Sequence, residues 1–322
     1  MKENITLARK GKYDIRSSSL WSRYIASDAP SAATRTSSDY MTEYNNWYAS
    51  QTYGDFRIMK LINCKNTLPG DIYSAYVAAA QSEDLWEGTE YSWEHTAYVV
   101  ERTTEKTTTV GPLLKTTWNQ ESPYSADGKL LGCVKIATGQ IMKFFEYPST
   151  FIWSNMPLSG ATNDTRAFLA RLKVELRVDD SGGATINDAE RVLKSYGYSV
   201  EKKDHDGNSV FSHILKYRTP VYARGVDTSK NEGHAWVMDG IKYSERYITY
   251  TLFRLTDTAY PDFKYDEAEN ADSFTEYSFL SSNFHMNWGW GGSSNGWFYD
   301  NLIAVGSGNF NDSRKELYIH KP

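Results

Sequence analysis

Gly132-Cys133-Val134-Lys135-Ile136-Ala137-Thr138-Gly139-Gln140-Ile141-Met142-Lys143-Phe144-Phe145-Glu146-Tyr147-Pro148 is the stretch from which the fold is best read. Val134, Ile141, Phe144 and Phe145 fall near one face at helical spacing, and Pro148 closes the segment. The pattern predicts a helix with Cys133 in its first turn. A thiol in that position meets the positive end of the helix dipole and unpaired backbone N–H groups, which favour the thiolate. Gly132 lets another backbone or a substrate approach closely. A cysteine at a helix start is also a common packed core residue, so this segment alone leaves both readings open.

Downstream, residues 164–178 read as a second amphipathic helix and residues 187–196 as a third, ended by Gly197. From about Phe211 the pattern becomes short alternating runs, among them residues 220–223, 235–238 and 247–253, which predict β-strands separated by turns. Helices followed by antiparallel strands argue for an α+β domain in two packed lobes. Upstream, residues 72–80 read as a helix and the Ser-, Ala- and Thr-rich residues 16–40 as exposed or loosely ordered chain. The polar run Glu101-Arg102-Thr103-Thr104-Glu105-Lys106-Thr107-Thr108-Thr109 has little to bury and suits a linker or a processing site. The expected division is therefore 1–108, a propeptide or accessory region, and 109–322, the domain that carries the chemistry.

Three further segments hold candidate chemistry. His234 lies in Asn231-Glu232-Gly233-His234-Ala235-Trp236-Val237-Met238-Asp239-Gly240, where Gly233 marks a loop entering an apolar strand. A strand anchors a base rigidly, although a structural histidine at a strand end fits the same pattern. Asn287 lies in Asn287-Trp288-Gly289-Trp290-Gly291-Gly292. Its side-chain carbonyl is chemically suited to accept an imidazole N–H, with Trp288 as a shield from water; a carbohydrate-stacking platform is the competing reading. Gln120 lies in Gly111-Pro112-Leu113-Leu114-Lys115-Thr116-Thr117-Trp118-Asn119-Gln120, shortly before the cysteine, and offers a neutral donor for an oxyanion.

The chain's 322 residues favour two domains, or one domain with a substantial extension. With 40% hydrophobic and 23% charged residues the composition is that of a soluble globular protein. A net charge of −5 provides no basic footprint, which argues against nucleic acid as a partner. No apolar run reaches the ~20 residues of a membrane helix, and the first residues hold no apolar core of a signal peptide. Two cysteines, Cys64 and Cys133, make no disulfide framework, and six histidines show no metal-ligand spacing. Cys64 follows apolar residues and reads as a buried small hydrophobe.

In chain order the candidates run Gln120, Cys133, His234, Asn287, the order found in papain-like cysteine proteases. Pro-Leu-Leu-x-Thr-x-Trp-x-Gln, then Gly-Cys-Val with Gln-Ile-Met-Lys and Tyr-Pro downstream, then Gly-His-Ala-Trp-Val-x-Asp-Gly, then Asn-Trp-Gly-Trp-Gly-Gly, resembles the streptopain family over about residues 111–300. The resemblance implies a papain-like two-lobed fold behind an N-terminal pro-region, and a secreted bacterial cysteine endopeptidase made as a zymogen. It implies Cys133 as nucleophile, His234 as base and later acid, and Gln120 at the oxyanion. Asn287 and Trp288 would position His234, with Gly132 and Gly233 in the supporting cleft. Protein or peptide substrates, an inhibitory role for the chain's own N-terminal region, and no cofactor or metal follow from the same likeness. Two departures bear on the cleft wall: Lys135-Ile136 stands where the family usually has Ala-Thr, and the segment between Gln120 and Cys133 is short. An amidase, transpeptidase or cell-wall hydrolase with the same Cys-His chemistry, and a catalytically idle binding module, are the alternatives.

Overall fold

The computed structural model describes residues 56–82, 93–125, 130–179, 182–257, 264–267, 272–300, 303–306 and 308–322. The expected loose segment 16–40 lies outside them. Contacts group the chain into two units, Met1–Lys106 with Ser244–Leu280, and Thr107–Tyr243 with Ser281–Pro322.

In the first unit, strand β1 (Phe56–Lys60) pairs antiparallel with β2 (Ala97–Val110), from Phe56 opposite Arg102 to Lys60 opposite Tyr98. Helix α1 (Gly70–Ser82) covers the expected 72–80, and a single turn, α2 (Trp93–Thr96), leads into β2. Leu61, Cys64, Tyr76, Ala80, Val99, Tyr250 and Leu252 form its core. The Cys64 thiol donates to the Lys60 carbonyl at 3.2 Å, and burial pushes it up to about 11. Cys64 is thus the inert, packed thiol that its apolar neighbours suggested.

The polar run from Glu101 to Val110 is strand, not linker. Threonine is β-branched and suits an extended backbone, and a strand whose side chains face solvent needs no apolar alternation to pair. Its side chains bury little while its backbone is engaged, so the side-chain pattern alone points to a linker.

The second unit joins helices to an antiparallel sheet. Helix α3 (Cys133–Phe145) packs with α4 (Asn163–Glu175) and α5 (Ile186–Ser195). Capping boxes open both of the latter, Thr162 with Thr165 and Thr185 with Asp188, satisfying N–H groups that a helix start leaves unpaired. Then come β3 (Ser199–Asp204), α6 (Gly207–Tyr217), β4 (Val221–Asp227) and β5 (Glu232–Asp257). After β6 (Lys264–Glu267), which belongs to the first unit, β7 (Phe274–Asn287) returns and pairs with β8 (Gly296–Phe298). Two short strands, β9 (Ala304–Val305) and β10 (Gly308–Asn309), precede β11 (Asp312–His320). The strand order β5-β4-β11-β3 is antiparallel throughout.

Phe211 was expected to begin the strand region but sits in α6, whose Val210, His213 and Ile214 are buried at helical spacing. Residues 235–238 and 247–253 are parts of the one long strand β5. Gly240, which resembles a turn residue, lies inside that strand. A Cβ there would come 2.9 Å from the Val110 carbonyl and 3.0 Å from His285 Cβ, so it is a point of close packing.

The two sides of the sheet bury different sets. Tyr222, Ala235, Val237, Leu317 and Ile319 join the core formed with α3, α4 and α5. Trp236, Met238, Phe284, Met286, Trp288 and Phe310 form a second core, with α6 contributing Val210 and Ile214. The α+β fold class, helices together with an antiparallel sheet, is the one expected.

Candidate active site

Gly132 caps α3 at φ +86°, and a Cβ there would fall 2.0 Å from the Gly182 carbonyl. Only glycine fits, and this fixes where Cys133 begins the helix. Cys133 is partly buried, and the backbone N–H groups of Cys133, Val134 and Ala235 favour its thiolate. Burial raises its pKa above the ordinary thiol value; the three N–H groups and the Arg224 charge pull the other way without reversing it. The helix N-terminus therefore acts in the expected direction, but desolvation outweighs it and Cys133 rests as a thiol at neutral pH.

Ala235 follows His234 on β5, so the strand with an N–H that favours the thiolate also carries the imidazole. His234 Nε2 lies 3.0 Å from the Trp288 carbonyl oxygen. A carbonyl only accepts, so Nε2 carries the proton and Nδ1 is left as the basic nitrogen. The ring is walled by aromatics: Trp290 at 4.7 Å, Phe310 at 5.2 Å, Trp288 at 5.8 Å and Trp236 at 6.4 Å between centroids. Burial pushes the imidazole down to about 4, against the Trp288 carbonyl, which favours the charged form. At pH 7 the imidazole is neutral. Gly233 is exposed, and a Cβ on it would meet nothing closer than 3.8 Å, so the site does not need glycine there for space.

Asn287 does not hold His234 by its side chain. Its Oδ1 accepts from Gln140 Nε2 at 3.1 Å and from the Gly289 N–H at 3.2 Å, while its Nδ2 donates to the Thr116 carbonyl at 2.9 Å. The amide is spent on shaping the turn after β7, and the backbone of the next residue, Trp288, reaches the imidazole. Gly289 adopts φ +70° in this turn, and a Cβ would come 2.9 Å from Ile136 Cγ2. Trp288 is fully buried, and its own N–H donates to Asn295 Oδ1 at 3.0 Å.

Gln120 is mostly buried, and its side-chain amide makes no hydrogen bond with the described residues. Its carbonyl accepts from the Leu131 N–H at 2.8 Å, tying it to the segment that enters α3. Asn119 bridges to Trp290, and the Gly291 N–H donates to the Trp118 carbonyl at 3.1 Å, so this loop and the glycine-tryptophan loop are fastened together.

Two residues had been given no role in the site, Gln140 within its Gln-Ile-Met-Lys motif and Arg224. Gln140 links Asn287 to the Trp118 N–H through Oε1 at 3.3 Å. Its signal was present: a polar residue one turn beyond Ile136 on the buried face of an otherwise apolar helix. Arg224, opposite Ala235 on β4, carried no motif at all. Of the departures from the resembled pattern, Lys135 is fully buried within α3 and Ile136 packs beneath the Gly289 turn.

The model of the Peptidase C10 family matches residues 114–298, more than half of the chain. The thiol protease/hemagglutinin PrtT of Porphyromonas gingivalis is 25% identical over 59% of this chain and 23% of its own length. Streptopain of Streptococcus pyogenes is 23% identical, with 66% of this chain and 57% of that protein covered. The chain thus spans about a quarter and somewhat more than half of these two relatives. Among solved structures, active interpain A cysteine protease of Prevotella intermedia aligns at a TM-score of 0.46 and 20% identity, covering 65% of this chain and 94% of that one. A prointerpain A fragment aligns at 0.42 and 19%, covering 65% and 71%. The family match takes in the helix that begins at Cys133, the strand that carries His234 and the turn that presents the Trp288 carbonyl, and by it the chain belongs to the Peptidase C10 family.

Proposed function

We propose that the chain is a cysteine endopeptidase in which Cys133 attacks a peptide carbonyl and His234 moves the proton. The observation that carries this reading is the orientation of His234: Nε2 is held by the Trp288 carbonyl, leaving Nδ1 as the basic nitrogen, on the strand whose next residue, Ala235, has an N–H that favours the Cys133 thiolate. Thiol and imidazole both rest neutral, so the proton passes from sulfur to Nδ1 as the sulfur attacks. The tetrahedral oxyanion takes hydrogen bonds from the Gln120 amide and the Cys133 N–H. His234 then gives its proton to the leaving amine, and water hydrolyses the thioester with His234 as base. Asn287 acts one step removed, by fixing the turn that aims the Trp288 carbonyl. Substrates are proteins or peptides, and the chemistry calls for no metal or cofactor.

Residues 1–108 are a removable region that restrains the enzyme before export, with the first cut between Glu101 and Val110. The exposed side chains of β2 support this, although the strand must first leave its pairing with β1 and β5. Incubation of wild type and Cys133→Ala under reducing conditions, followed by intact mass and casein hydrolysis, tests both parts. Wild type should hydrolyse casein, label at Cys133 with a thiol-directed inhibitor and shorten to a species starting near Val110; the variant should do none of these. Cleavage of cell-wall fragments but not casein would move the reaction to the amidase class. A wild-type chain active at full length would remove the pro-region.

A further inference from the structure

Arg224 stands opposite Ala235 in the β4–β5 ladder, and Tyr222 stands opposite Val237. Side chains alternate along a strand, so Tyr222 and Arg224 share the face that Ala235 and Val237 turn toward α3. Tyr222, Ala235 and Val237 are buried in that core; Arg224 is the next position outward and is partly exposed. Its Nη1 donates to the Ser313 carbonyl at 3.1 Å, and its Nη2 lies 4.0 Å from where a Cβ on Gly233 would stand. The guanidinium therefore lies across β4, between β11 and the residue that precedes His234. Ala235, its partner in the ladder, follows His234 directly, and both the Ala235 N–H and the Arg224 charge favour the Cys133 thiolate.

Among the described residues no carboxylate pairs with Arg224, and one backbone carbonyl takes one of its five N–H groups. A partly desolvated guanidinium with its remaining donors unspent matches a carboxylate, which accepts two parallel N–H bonds in the fork geometry that lysine lacks. We propose that Arg224 makes this enzyme select peptides bearing an acidic side chain within two residues of the scissile bond, whose carboxylate it receives. The proposal rests on the endopeptidase reading and names a substrate class for it.

The test uses the full chain after incubation under reducing conditions, with paired peptides carrying Glu or the isosteric Gln at each of the two positions on either side of the scissile bond. At one position kcat/KM for Glu should exceed that for Gln by about tenfold or more, the range of a hydrogen-bonded charge pair. That ratio should shrink in Arg224→Gln, and in wild type it should fall as salt is raised, a readout that needs no variant. Ratios near one at every position in a wild type that hydrolyses both peptides would overturn the proposal and leave the endopeptidase standing. A Glu preference unchanged in folded Arg224→Gln, or indifferent to salt, would overturn it as well. Hydrolysis of neither peptide nor casein would overturn both readings.

Discussion

His234 and His205 belong to the same unit and are both largely withdrawn from water, yet they rest in opposite charge states. His234 faces four aromatic rings and one carbonyl, and burial holds it down to about 4. His205 lies between two carboxylates, Nδ1 2.6 Å from Glu316 Oε1 and Nε2 2.9 Å from Asp300 Oδ1. Burial alone would lower it, but the hydrogen bonds to Asp300 and Glu316 carry it up to about 9. Trp236 touches both environments, its ring stacked with His234 at 6.4 Å between centroids and 6.0 Å from the guanidinium of Arg314, which pairs with Asp300. Burial lowers both imidazoles, and the carboxylate partners of His205 make the difference between them. A base that must accept a proton has to start neutral, and an aromatic wall with no carboxylate keeps it so. A histidine clamped by two carboxylates is already protonated and is suited to structure.

The largest expected effect separates the two residues by activity. His234→Ala should lower kcat/KM by about 10³-fold or more, the scale of a lost general base. His205→Gln should stay within a few-fold of wild type in the same peptide assay. If His205→Gln were the inactive variant, the roles drawn from the two environments would be reversed. Next in size, Asn287→Ala should cut kcat by roughly 10²-fold with little change in KM, because a displaced Trp288 carbonyl misaims the imidazole without touching substrate. An Asn287→Ala effect confined to KM would point to a direct substrate contact instead. Alkylation of Cys133 by iodoacetamide belongs to the same test: with a raised thiol and a neutral His234, it should be slow at pH 7 and climb towards and beyond pH 9. Fast alkylation at pH 5 would show an ion pair.

How much of this was legible in the sequence depended on whether the signal was local. The helix from Cys133, the helices at 163–175 and 186–195, and the anchoring of His234 on a strand follow from short-range periodicity and glycine placement. The Trp288 carbonyl could not be foreseen, since every residue has one and only the turn decides which points at the imidazole. Asn287 stood out by its chemistry, and its actual partners, Gln140 and Thr116, come from segments far away in sequence. The threonine run failed for the opposite reason: its side chains say surface, while its strand pairing is made by backbone that carries no side-chain signature. The His205 cluster was equally hidden, because Asp300 and Glu316 lie about a hundred residues away and no motif links them.

Stability against pH gives the next contrast. A histidine held above its unfolded value stabilises the fold fully below pH ~6.5, and that stabilisation is lost as pH rises through about 9. For His205 the pH-dependent part is at most roughly 3 kcal/mol. His205→Gln should therefore be destabilised most at pH 6, and the gap to wild type should narrow steadily by pH 10 in thermal or urea unfolding. A gap that stays constant would mean that His205 is not the charged member of the cluster.

The smallest effect, and the most discriminating in sign, is at His213. Burial and the charges of His320 and Lys203 push it down to about 4, and Thr219 Oγ1 lies 2.8 Å from its Nε2. In the unfolded chain it binds a proton near pH 6.5, so as pH falls from there towards 4 the wild type loses stability at this site, the reverse of His205. By pH 5 the loss amounts to roughly 2 kcal/mol. His213→Gln removes that titration, but it also gives up the hydrogen bond with Thr219 and the ring contacts with Tyr217 and Tyr318, which costs about 1 kcal/mol at any pH. The two contributions oppose each other below neutrality. The variant should be less stable than wild type at pH 7, equal to it near about pH 6 and more stable at pH 5, with urea midpoints crossing accordingly. A variant weaker by the same margin at pH 7 and pH 5 would show that packing alone governs this site, and the rule that aromatic burial without a carboxylate keeps an imidazole neutral would then lose its independent support beyond His234.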